Sequence, residues 1–89
     1  MPVEVTCERT DTGWACRVTV GDDAGATTHL VTVRPETLAE LRPGAEDPTV
    51  LVRRSFEFLL TREARESILA RFDLEVIGRY FPEWRRAIQ

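Results

Sequence analysis

Two cysteines, one histidine and two serines are the residues of this 89-residue chain with the most chemistry of their own. Cys7 and Cys16 fall on the apolar parity of two neighbouring alternating stretches, Val3-Val5-Cys7 and Trp14-Cys16-Val18-Val20. If Thr10-Asp11-Thr12-Gly13 is the loop and Arg9 closes against Trp14, the two cysteines face each other across an antiparallel ladder. Opposed Cα atoms there lie about 4.5 to 5.5 Å apart, within reach of a disulfide. Counting back from that closing pair makes theirs a hydrogen-bonded pair, the wider kind, which disfavours a bridge. The expectation is two buried thiols acting as small apolar side chains, with a bridge as the alternative. Zinc would need His29 to join from a third strand, and the eight residues between the cysteines are not a zinc-ligand spacing.

Catalysis has little to work with. Ser55 and Ser67 lie in helical stretches without a neighbouring His, so a nucleophile and base would rest on His29 alone. Four of the five glycines punctuate turns, and none belongs to a phosphate-cradling loop. The fifth, Gly78, sits inside a helical stretch at a cost of about 1 kcal/mol. Its expected compensation is the close approach of another element, in this chain rather than a second copy. Asp22-Asp23 occupy a turn of small residues, where solvated acids belong. The reading is a protein without catalytic residues, metal or cofactor, and not an enzyme.

Large side chains concentrate near the C-terminus. The thirteen residues Phe72 to Trp84 hold two of the four Phe, the one Tyr and one of the two Trp, interleaved with charge. Aromatics and Arg are what protein interfaces favour, so Tyr80, Phe81, Trp84, Arg85 and Arg86 form the candidate protein-binding cluster. Closure of the core by the same aromatics is the competing reading. The expected role is a small cytoplasmic accessory protein that binds another protein or a second copy of itself. Leu69 to Tyr80 also resembles the helix-turn-helix of bacterial repressors, an apolar helix end and a turn before an Arg-bearing helix. Asp73 stands where that motif has Gly, and the turn is about two residues short. The resemblance implies a DNA-binding regulator, the alternative function, with Arg71, Arg79, Arg85 and Arg86 on phosphates.

What must position these residues is one small α+β domain over residues 1–89, with strands over about 3–33 and helices over about 35–88. Three strands form an antiparallel meander, the third over about Thr27 to Val33, with the first and third as edges. The inner face carries Val3, Val5, Cys7, Trp14, Cys16, Val18, Val31 and Val33. Glu4, Thr6, Glu8, Arg17, Thr19, Thr28 and Thr32 face outward. Three to four helices then cover the inner face. Pro35 opens the first, with Val33 and Leu38 as a staple. Asp47-Pro48 opens a second, whose wide stripe of Leu51, Val52, Phe56, Phe58, Leu59 and Leu60 marks it as central. Thr61 caps a third bearing Ala64, Ile68, Leu69 and Phe72. Asp73 caps a fourth, ended by Pro82, before a last turn with Trp84 and Ile88.

Bulk composition is that of an ordinary globular chain, 43% hydrophobic and 30% charged. No apolar run approaches the roughly 18 residues of a membrane span, and the N-terminus has no secretory-signal pattern. All twelve basic residues are Arg, and Lys and Asn are absent, as codon usage in a GC-rich bacterial genome would produce. The net charge of −3 resides in residues 1–44, while residues 45–89 are balanced, so the basic footprint of a nucleic-acid binder is missing. Arg53 with Glu57, Arg62 with Glu66 and Glu75 with Arg79 are spaced as helical ion pairs.

Overall fold

The structure, a computed structural model, describes residues 1–89. Its elements are β1 (Val3–Thr10), β2 (Gly13–Val20), β3 (Thr27–Val33), α1 (Pro35–Leu41), α2 (Thr49–Leu60), β4 (Arg71–Asp73), α3 (Val76–Tyr80) and α4 (Trp84–Ala87). A 3-10 turn at Arg65–Ser67 lies between α2 and β4. The α+β class and the antiparallel meander β1-β2-β3 are as expected. The sheet, though, has four strands and is mixed, because β4 adds to β3 in parallel. One edge is therefore β1 and the other the three-residue β4, while β3 is interior.

The first hairpin turns more tightly than expected. Thr10 pairs with Gly13, leaving Asp11-Thr12 as a two-residue turn. Gly13 has φ +145°, and a Cβ there would run into the Val33 carbonyl, so the residue must be Gly. Moving the closing pair by one position changes the parity of the whole ladder. Cys7 and Cys16 become a non-hydrogen-bonded pair, the close kind. Their Cα atoms are 4.0 Å apart and the sulfurs are bonded. The expected free thiols are thus corrected to a cross-strand bridge. Disulfides persist in oxidising compartments and are reduced in the cytosol, so the bridge stands against pairing free thiols with cytoplasmic residence.

The helix expected after Thr61 is replaced by an extended segment. The Thr61 hydroxyl donates to the Phe58 carbonyl at 2.6 Å and closes α2 instead of opening a new helix. Ala64 and Ile68 on either side of the 3-10 turn are extended, with ψ of 153° and 134°. This geometry lets the chain pair with β3. Leu30 N–H donates to the Ala70 carbonyl at 2.8 Å, and Leu74 N–H to the Thr32 carbonyl at 2.9 Å. A helix here would leave the Leu30 amide and the Thr32 carbonyl of β3 without partners, at a cost comparable to lost hydrogen bonds.

A single cluster of 17 buried apolar residues forms the core. From the sheet come Trp14, Cys16, Val18, Val20, Val31 and Val33. α2 contributes Leu51, Val52, Phe56, Phe58 and Leu59, and the C-terminal turn adds Trp84 and Ile88. The width of the α2 stripe follows from this central place. Asp47 accepts from Thr49 N–H at 2.9 Å where α2 starts, and Pro35 opens α1. No helix is long and apolar enough to cross a membrane.

Candidate functional site

An apolar groove of about 210 Å³ lies between the end of α2, the segment before β4, and α3. Leu59 and Phe72 come from the core side, Ile68 and Leu69 from one wall, and Val76, Ile77, Tyr80 and Phe81 from α3 and its end. Glu63 and Ser67 are the polar members. Five-residue α3 presents Val76, Ile77 and Tyr80 to the groove by helical spacing, with Phe81 closing the end edge-on to Phe58 at 5.8 Å between ring centroids.

Each wall is tied down by a named contact. His29 is buried on β3, tilted against Phe56, and its Nδ1 lies 2.8 Å from the Leu69 carbonyl. A carbonyl can only accept, so Nδ1 donates to it, and Nε2 lies 2.9 Å from the Thr27 hydroxyl. His29 therefore holds the Leu69 wall against the sheet. Arg65 anchors the same segment from the other side through Asp23 at 3.1 Å, and also pairs with its neighbour Glu66 at 3.2 Å. The Gly25 amide, then Arg65, hold the Asp23 carboxyl below the ordinary range.

The α3 wall is fixed by Asp73 and Glu75. Asp73 accepts from the Glu75 amide at 3.1 Å and from the Thr32 hydroxyl at 3.0 Å, which ties the start of α3 to the sheet. Glu75 accepts from the Thr37 hydroxyl at 2.6 Å and pairs with Arg34 at 2.8 Å and Arg85 at 2.7 Å. The Thr37 bond, followed by Arg34 and Arg85, pushes its carboxyl below the usual range. Arg85 also pairs with Glu40 on α1.

The residues expected to act at the C-terminus therefore separate. Tyr80 and Phe81 meet at the groove, and Tyr80 is 69% exposed. Trp84 is wholly buried, with its indole N–H donating to the Ser55 hydroxyl at 3.0 Å. Arg85 is taken up by Glu75 and Glu40, while Arg86 is exposed. Of the arginines proposed for DNA, Arg71 lies on β4 and Arg79 on α3, so with Arg85 and Arg86 on α4 they share no helix face. The helix-turn-helix likeness is corrected accordingly: Leu69 to Tyr80 builds a strand, a turn and a five-residue helix.

None of the expected helical ion pairs forms. Arg62 and Glu66 lie beyond the end of α2 and pair with Glu83 and Arg65, Glu75 pairs with Arg34 and Arg85, and Arg53 and Glu57 on α2 form no ion pair. Ser55 donates to the Leu51 carbonyl at 2.8 Å, and neither serine is a partner of His29. No group of three His, Cys, Asp or Glu is gathered as metal ligands.

Leu59, Glu63, Ile68 and Leu69 are the groove residues that sequence reasoning had placed elsewhere or passed over. The sequence held no separate signal for them, because Ile68 and Leu69 fit helical spacing as well as an extended segment. Comparison with known protein families, characterised proteins and solved structures finds no match to this chain.

Proposed function

We propose that this chain is a non-enzymatic accessory protein that acts by binding another protein chain at the groove. One observation carries the reading. Of the four large apolar side chains left exposed, two, Leu69 and Tyr80, rim a groove that is lined mostly by apolar groups. Exposed apolar surface gathered at a hollow is what interaction sites use, and Tyr is a favoured anchor. Trp84 and Arg85, committed to the core and to Glu75, leave the contact to Leu69, Tyr80 and Phe81.

The test is capture from a nuclease-treated lysate of the source organism, by tagged wild type and by the Leu69→Asp/Tyr80→Glu double variant. Both are first shown to share a circular-dichroism spectrum. A stoichiometric protein held by wild type and lost by the variant supports the reading. Equal capture by both, or recovery of nucleic acid alone when nuclease is omitted, overturns it. The proposal keeps the cytoplasm as location, where glutathione would reduce Cys7 and Cys16. Acid-quenched thiol alkylation of cells should then label both cysteines, and an intact bridge would assign an oxidising compartment.

A further inference from the structure

We infer that the groove is filled by a second copy of this chain, in a two-fold dimer where each Tyr80 enters the facing groove and each Arg79 meets the facing Glu63. This rests on the groove being the binding surface and names its occupant. Size favours it: a cavity of about 150 Å³ admits benzene, and the groove, at about 210 Å³, has room for one aromatic ring. Tyr80 holds such a ring at the rim, mostly in solvent.

Charge completes the fit. Glu63 lines the groove, is half-buried, and forms no ion pair within the chain. Arg79, next to Tyr80 and one step round α3, is exposed and equally unpaired, because its expected partner Glu75 is taken by Arg34 and Arg85. In the inferred dimer the two-fold axis sets Arg79 against the facing Glu63, and makes the contact twice. One patch thus offers ring and hollow, base and acid. A basic peptide would satisfy Glu63 but set its charge against Arg79.

A rival surface for a second copy is the free edge of β1, where some registers are disfavoured. A two-fold pairing centred on Thr6 sets Glu4 opposite Glu8 on both sides, and like charges directly opposed are destabilising. Centring on Cys7 sets Val5 against Arg9. The groove has ten lining residues against the roughly 20 to 30 a side of a standard interface. The dimer is therefore of the small, reversible kind.

Sedimentation velocity from about 1 µM to about 1 mM tests this. Wild type should shift from monomer toward dimer with concentration, and Tyr80→Glu should stay monomeric. Glu63→Arg and Arg79→Glu should each weaken the dimer about tenfold, since attraction becomes repulsion at two contacts. An equimolar mixture of those two variants should dimerise as wild type does, because each supplies the other's missing charge. Circular dichroism confirms that every variant folds. A wild type that stays monomeric, or variants that dimerise undiminished, overturns the inference. Groove-dependent capture of a different protein would then leave the broader binding reading standing, and its absence would remove both.

Discussion

Trp84 shows how far a side chain's type runs ahead of its direction. Its chemistry suits an interface, yet its indole N–H is spent on Ser55, and Ser55 is spent on Leu51. Trp84→Ala should lower stability by about 3 to 5 kcal/mol in urea unfolding, the range for an aromatic removed from a core. Loss of binding with unchanged stability would contradict that placement. At Gly78 a Cβ would lie 3.3 Å from Cε3 of the Trp84 ring, tighter than an ordinary contact, so the close neighbour belongs to this chain. Glu75 makes the pH-dependent contribution easiest to isolate. Its folded carboxyl is depressed by Thr37, Arg34 and Arg85, so it stabilises above the ordinary glutamate range and that stability is lost as pH falls through the depressed value. Glu75→Gln should be less stable than wild type at pH 7, and the gap should narrow below about pH 4. A gap that stays constant with pH would show that the network contributes packing and not charge.

Among the elements, legibility tracked the length of the pattern. Eight-residue β1 and β2 carry enough alternation to fix face and partner, and the constant-sum register placing Cys7 opposite Cys16 was readable before the structure. What was not readable was the turn, one pair tighter, and with it the parity that permits the bridge. β4 was hidden for a different reason. Three residues hold no period, and Ile68, Leu69 and Phe72 match helical spacing as well. The need of β3 for a partner decides the matter, a demand made from forty residues away. His29→Ala should release the Leu69 wall, so amide exchange at Leu30 and Leu74 should quicken at least about tenfold while the β1–β2 ladder is unchanged. Equal acceleration across the sheet would mean that His29 only supports global stability. Replacing both cysteines by Ser should cost about 2 to 3 kcal/mol, from the short loop the bridge closes. Unchanged urea unfolding would show the bridge to be idle.

For the molecule as a whole, α+β architecture and a covered inner face followed from composition and order, but the groove did not. It is built where α2 ends, β4 pairs and α3 begins, three places whose positions depend on contacts distant in sequence. Tyr80 and Phe81 were marked by residue type, whereas Glu63 and Leu69 gained meaning once the chain between them was seen to lie outside any α-helix. The most direct measurement is an amide NMR dilution series on the wild-type protein. Shifts that move with concentration should cluster at Leu59, Glu63, Leu69, Val76, Arg79 and Tyr80, leaving β1 and the outer sheet face still. Movement along β1 instead, or no movement anywhere up to about 1 mM, would contradict the account.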